Sequence, residues 1–133
     1  MFSSEEQKNI DFMRVSACCR LEKVLKKQGV LVEKKFIKKN KIQGYFLCTN
    51  QKSENLKYCL EFFLPAETKF SLKERGYSNK KVDGDFYVLS YPGIRDHRFF
   101  AFTESEMEEI LLESEGEIIP LTEFTKKCRR VWE

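Results

Sequence analysis

The sequence has few of the residues that the commonest metal and hydrolase sites use. It contains one histidine, His97, and five cysteines, none of them in a C-x-x-C pair. Structural zinc sites need four Cys or His ligands at short spacings. Serine and cysteine hydrolases need a histidine base beside a positioned nucleophile, and no G-x-S-x-G motif occurs. Zinc binding and these hydrolase mechanisms are therefore disfavoured.

Nucleotide-binding loops, membrane spans and targeting signals are also missing. The chain contains neither G-x-x-x-x-G-K nor G-x-G-x-x-G, which disfavours the nucleotide-binding enzymes that carry those motifs. No apolar run approaches the roughly 20 residues of a membrane span. The segment MFSSEEQKNID is polar and acidic, unlike a secretory signal. We therefore expect a cytoplasmic protein with reduced thiols and no membrane partner.

The composition is typical of a folded domain. The chain has 133 residues, of which 41% are hydrophobic and 12 are phenylalanine, so we expect one domain over residues 1–133. The charge is uneven. Residues 1–101 carry 20 Lys and Arg against 12 Asp and Glu, whereas residues 102–133 carry 4 against 9. A basic body of this kind favours a polyanionic partner, although ordinary solvated surface gives the same counts.

The hydrophobic periodicity predicts an α+β fold. A capping pattern at Ser3 and Ser4 precedes apolar residues at helical spacing, which indicates a long helix that ends at Gly29. Five segments rich in β-branched and aromatic residues are predicted as strands: 30–37, 42–48, 56–64, 85–91 and 97–103. The polar loop between the second and third strands is typical of an antiparallel hairpin.

The C-terminal third predicts two helices. Thr103 and Glu106 form a capping-box pattern before a helix over 104–115. A short extended piece follows, and a last helix is predicted from Thr122 to about Trp132. Residues 73–81 show no period and are predicted as a loop. The expected architecture is an N-terminal helix, a mixed or antiparallel sheet of about five strands, and C-terminal helices packed on it.

A run of lysines around the first predicted turn is a candidate nucleic-acid surface. Phe36 lies inside this run, and Tyr45 follows on the next strand as a candidate for stacking. Adjacent strand residues point to opposite faces, so only part of the run can share one surface. Edge-strand lysines that prevent association of sheets are the structural alternative. The candidate lysines are Lys34, Lys35, Lys38, Lys39 and Lys41.

The order of these elements, with the acid-x-lysine segment Glu67-Thr68-Lys69 after the third strand, resembles the PD-(D/E)xK, or restriction-endonuclease-like, superfamily. The segment VDGDFYVLSYPGIRDHRFFAFTESEMEEIL looks like the second half of such domains, and the resemblance covers residues 4–112. It implies a nucleic-acid-binding protein and a magnesium-dependent nuclease, in which carboxylates hold Mg²⁺ and a lysine stabilises developing charge.

The resemblance implies Glu67, Lys69 and Glu61 as catalytic residues, with Glu61, Glu67 and Asp85 as metal ligands. The sequence departs from the family pattern at two points. Gln43 and Gly44 stand where an acid is expected, and Phe63 stands where a lysine would follow Glu61. Turn and surface roles remain open for all these acids, and the alternative function is a non-catalytic protein-interaction module.

Overall fold

The computed structural model describes residues 3–38, 42–64, 66–77, 83–92, 97–114 and 116–132. Its elements, in chain order, are helix α1 (Ser4–Lys27), strands β1 (Leu31–Ile37), β2 (Gln43–Thr49), β3 (Asn55–Phe62), β4 (Lys69–Ser71), β5 (Phe86–Pro92) and β6 (His97–Thr103), helix α2 (Glu104–Glu113), strand β7 (Ile118–Pro120), helix α3 (Leu121–Lys126) and strand β8 (Arg130–Trp132). The α+β class predicted from the periodicity is confirmed.

The ends of α1 and α2 agree with their capping patterns. The Ser3 hydroxyl accepts a hydrogen bond from the backbone N–H of Glu6 at 3.1 Å, and Thr103 and Glu106 form a complete capping box. Gly29 follows α1 with φ of +80°, a backbone conformation that costs glycine least. These local signals position each helix relative to the strand beside it.

The main sheet of the described residues is mixed and has the order β1-β2-β3-β5-β6-β8. The predicted hairpin of β2 and β3 is confirmed, with Tyr45 opposite Cys59. All neighbours are antiparallel except β3 and β5. Six strands replace the predicted five because the chain end adds β8 beside β6.

The predicted last helix is wrong in its second half. Helix α3 ends at Lys126, and Arg130–Trp132 instead forms β8, with Trp132 opposite Phe99. The cap predicted at Thr122 is also wrong, since Pro120 precedes the helix without a side-chain cap. The sequence contains apolar residues at helical spacing here, but pairing along the edge of β6 satisfies the same backbone groups and buries part of Trp132.

The two faces of the sheet have separate hydrophobic cores. Helix α1 covers one face through residues such as Leu21 and Leu25, which pack with Phe46 and Val88. On the other face, α2, α3 and the small sheet of β4 and β7 pack over β3, β5 and β6. None of the buried residues of this second core belongs to β1 or β2. Among the described residues, the turn at Arg75 covers Gln43 of β2 on that face, and the remainder of β1 and β2 is left uncovered there.

Of the segment 73–81 that was predicted as a loop, residues 78–81 lie outside the described residues, and residues 73–77 are packed against the sheet through two buried side chains. Residues 72–77 form successive turns, and both Arg75 and Tyr77 are buried. Gly76 within these turns has φ of +84°. In the part of the chain that the structure describes, no helix combines the length and apolar character needed to cross a bilayer.

Candidate functional site

Glu61, one of the predicted catalytic and metal-binding acids, lies at the bottom of a buried polar network. It is on β3 opposite Gln43 of β2, and its side chain is 1% exposed. The Gln43 amide and the Tyr77 hydroxyl donate to Glu61 Oε1 at 2.6 and 2.8 Å. Arg75 Nη1 donates to Glu61 Oε2 at 2.7 Å. Both carboxylate oxygens therefore accept hydrogen bonds from the protein itself.

Arg75 joins the two acids that the resemblance implied. Its Nη1 contacts Glu61, and its Nη2 lies 2.8 Å from Glu67 Oε2. The same guanidinium donates to the carbonyl of Phe62 at 3.4 Å and lies over the ring of Phe63, 4.1 Å from the ring centroid. The structure thus brings Glu61 and Glu67 to a common point, and a cation of the protein occupies that point.

Burial and hydrogen bonding shift the pKa of Glu61 in opposite directions and the pKa of Tyr77 in the same direction. Burial raises the pKa of Glu61 above its ordinary value, while the charge and hydrogen bonds of Arg75 lower it. Burial and the neighbouring Glu61 carboxylate raise the pKa of Tyr77 well above its ordinary value, so its hydroxyl stays a donor. The network holds the turns of residues 72–77 against the sheet, because Gln43 also donates to the Arg75 carbonyl at 2.6 Å.

The other two residues of the predicted site lie apart from this network. Asp85 precedes β5 and its carboxylate accepts from the backbone N–H of Lys57 at 2.8 Å. Lys57 is four residues before Glu61 on β3, roughly 13 Å along the strand. Lys69 is the exposed first residue of β4. The structure therefore places Asp85 about four residues along β3 from Glu61, and a metal shell shared by Asp85, Glu61 and Glu67 stays a prediction from the resemblance.

The acids do not fit a magnesium site as they stand. Within the described ranges, no group of three His, Cys, Asp or Glu side chains is placed to hold a metal ion. Magnesium takes oxygen ligands in a near-octahedral arrangement, whereas Glu61 has both oxygens engaged and Glu67 contacts Arg75. Magnesium-dependent catalysis by Glu61, Glu67 and Lys69 stays a prediction from the resemblance, and this arrangement does not support it.

The predicted nucleic-acid residues fall on two faces of the sheet. Lys34 is opposite Leu47 and Lys35 is opposite Phe46, so the two lysines point in opposite directions, as the alternation predicts. Lys35 pairs with Glu22 of α1, and this hydrogen bond raises the pKa of Lys35. Lys39 and Lys41 lie outside the described residues.

The uncovered face carries the remaining candidates, together with Lys57, which sequence reasoning did not assign to it. We call this surface the open sheet face; it consists of Lys34, Phe36, Lys38, Tyr45 and Lys57. The rings of Phe36 and Tyr45 stack with centroids 4.7 Å apart and an interplanar angle of 20°. The Lys57 ammonium lies 4.6 Å from the centroid of the Tyr45 ring. The sequence did not predict the contacts that Phe36 and Lys57 make with Tyr45, because these contacts depend on cross-strand register.

Both ring faces of Tyr45 are in contact with neighbours. Phe36 belongs to β1 and Lys57 to β3, and β2 lies between these strands. The two side chains therefore cover opposite sides of the Tyr45 ring. Phe36 is on an edge strand of the described sheet and is 39% exposed. The expectation that Tyr45 offers a free stacking surface is changed by this geometry, because the open ring face belongs to Phe36.

A cavity of about 220 Å³ adjoins the open sheet face. Lys38, Tyr45 and Lys57 line it on the exposed side, and Gln43 and Glu61 line its floor. The cavity is smaller than the roughly 300–1,000 Å³ of sites that enclose drug-sized ligands. It links the buried network to the open sheet face, since both use the paired strands β2 and β3.

Comparison with protein-family models, with curated proteins and with solved structures finds no match to this chain.

Proposed function

We propose that this protein binds nucleic acid through the open sheet face. The observation that carries the proposal is a patterned surface: Lys34 and Phe36 alternate along the edge strand β1, Lys38 directly follows that strand, and Tyr45 and Lys57 lie beside them. Residues two apart in a strand are about 6.6 Å apart on one face. Ammonium groups on both sides of an aromatic ring suit a chain in which phosphates alternate with bases.

Three carboxylates limit where a phosphate chain can lie. Asp83 lines the cavity, and Asp85 contacts the backbone of Lys57, so both repel phosphate on the side of the open sheet face next to β5. On β1, Glu33 precedes Lys34 and accepts a hydrogen bond from the Thr49 hydroxyl. The favourable path therefore runs over β1 from Lys34 towards Lys38, away from these carboxylates. In the sequence, the predicted Lys39 and Lys41 follow soon after Lys38.

The test is a salt titration of binding to fluorescein-labelled 15-nucleotide DNA and RNA. Three lysine–phosphate contacts give a slope of log K against log salt of about −2, at roughly 0.7 per contact for single strands. Lys34→Ala is expected to weaken binding and to reduce the slope by about 0.7. Lys35→Ala is the matched control, because it removes the same charge from the neighbouring residue on the opposite face.

The result that contradicts the proposal is a flat salt dependence, or equal effects of Lys34→Ala and Lys35→Ala. A protein partner remains the alternative prediction, and binding that is absent for every nucleic acid would favour it.

Cleavage is tested in the same samples with magnesium or manganese. Loss of cleavage in Glu67→Ala and Lys69→Ala, but not in Lys73→Ala, would support the nuclease predicted from the resemblance.

A further inference from the structure

We infer that the open sheet face selects single strands, because one unpaired base stacks on the exposed ring of Phe36. This inference rests on the proposed function and names the class of nucleic acid that the face takes. Its starting point is the difference between two aromatic rings that are direct neighbours. Tyr45 has Phe36 on one side and Lys57 on the other, whereas Phe36 has its stacked neighbour on one side only.

The position of Phe36 makes its free ring face accessible to a base. Tyr45 holds the ring from β2, so its orientation is fixed before binding and little rotamer entropy is lost. Strand β1 is the edge strand of the described sheet and pairs only with β2, so the side of the Phe36 ring that faces away from Tyr45 lies at the sheet edge. A base can lie against it while phosphates on either side contact Lys34 and Lys38.

Strand selection follows from the accessibility of the base. In a duplex each base already lies between its neighbours and pairs with its partner, so its ring face cannot reach Phe36 without unstacking. In a single strand that ring face is free, and stacking on an aromatic side chain tolerates any base. Lysine contacts to phosphate do not make this distinction, since both forms present phosphates.

The experiment compares a 15-nucleotide oligothymidylate with a duplex of the same length, at one salt concentration. Phe36→Leu removes the ring and keeps an apolar side chain on the edge strand. We expect Phe36→Leu to weaken single-strand binding by about tenfold or more, within the range measured for loss of one base–aromatic stack. Duplex binding should change less than twofold. Phe36→Trp, which keeps an aromatic ring at this position, should keep the preference for the single strand.

Two further readouts separate stacking from charge. The salt slope of Phe36→Leu should equal that of the unchanged protein, because no phosphate contact is lost, whereas Lys34→Ala reduces it. A 2-aminopurine base placed in the single strand should be quenched on binding to the unchanged protein and remain bright with Phe36→Leu.

The outcomes distinguish this inference from the proposed function. If binding depends on salt and on Lys34, but Phe36→Leu changes the two forms equally or neither, the proposed function stands and single-strand selection is rejected. If no form binds, or if binding ignores salt, the proposed function itself fails. A thermal melt of each variant checks that the open sheet face is still folded.

Discussion

The replacement of Arg75 by methionine tests the buried network most directly. Methionine retains apolar volume over the Phe63 ring and removes the guanidinium of Arg75, whose side chain is 5% exposed. Two ion pairs are lost, and their contributions should differ. The side chain of Glu67 is 30% exposed and regains water, so loss of its ion pair should lower the free energy of unfolding by less than about 1 kcal/mol.

Glu61 determines most of the expected loss. At 1% exposure its carboxylate cannot be hydrated, and only Gln43 and Tyr77 remain as donors. Removal of one partner from a buried ion pair costs about 3–5 kcal/mol. We therefore expect Arg75→Met to lower the free energy of unfolding by that amount, a large part of the roughly 5–15 kcal/mol typical of a domain.

Urea denaturation followed by circular dichroism and by the fluorescence of Trp132 provides the measurement. Trp132 is the only tryptophan and packs against the core under α1, so its emission reports the folding of the sheet. The double variant Arg75→Met with Glu61→Gln removes the uncompensated charge and keeps an acceptor for Tyr77. This double variant should recover about half of the free energy of unfolding that Arg75→Met loses.

Two controls give the reasoning a clear point of failure. Glu67→Gln, which breaks the exposed half of the same arrangement, should cost less than about 1 kcal/mol. Lys73→Ala, at an exposed residue near Arg75, should be nearly neutral. An Arg75→Met cost no larger than that of Glu67→Gln, or a double variant less stable than Arg75→Met alone, would show that Arg75 does not compensate the buried charge of Glu61.

Two further predictions concern packing and thiol chemistry. An added Cβ at Gly44 would lie 2.5 Å from a backbone oxygen of β1, so Gly44→Ala should cost about 1–3 kcal/mol in urea denaturation. At Gly116 a Cβ meets nothing within 4 Å, so an alanine there should change stability by less than about 0.5 kcal/mol; equal effects would contradict the packing argument. Burial raises the pKa of the Cys59 thiol to about 11, so at pH 8 only about one thiol in 1,000 is ionised. Iodoacetamide should therefore modify the exposed Cys19 at least about 100-fold faster than Cys59 at pH 8, as measured by peptide mass spectrometry. The rate of Cys59 modification should rise about tenfold per pH unit from pH 8 to 10. Comparable rates for the two thiols at pH 8 would refute the burial of Cys59.

The buried network and the open sheet face depend on the same pair of strands. Gln43 and Tyr45 alternate along β2, and Cys59 and Glu61 stand opposite them on β3. The network ties the turns of residues 72–77 to these strands at Gln43 and Glu61. The aromatic stack lies two residues along β2, at Tyr45. A loss of Arg75 should therefore weaken the proposed nucleic-acid binding only through the stability of the sheet, with an unchanged salt slope in the folded fraction.

Much of the fold was predictable because its signals are local. The capping residues of α1 and α2 bond to backbone groups within the next three residues, and Gly29 adopts the conformation that ends the first helix. Strand alternation predicted that Lys34 and Lys35 point to opposite faces, and the register confirms this. The identity of β8 was not predictable, because its spacing also suits a helix and only the vacant edge of β6 decides the outcome.

The sequence by itself determined the N-terminal caps of α1 and α2, the hairpin of β2 and β3 and the α+β class, since each depends on residues close together in the chain. Only the tertiary structure decided how the candidate residues are used. Glu61 and Arg75 are 14 positions apart in the sequence and show no periodic relation, yet folding places their side chains 2.7 Å apart. Cross-strand register alone pairs Phe36 with Tyr45. Contacts of this kind arise from the burial of distant segments against one another, which no local pattern encodes.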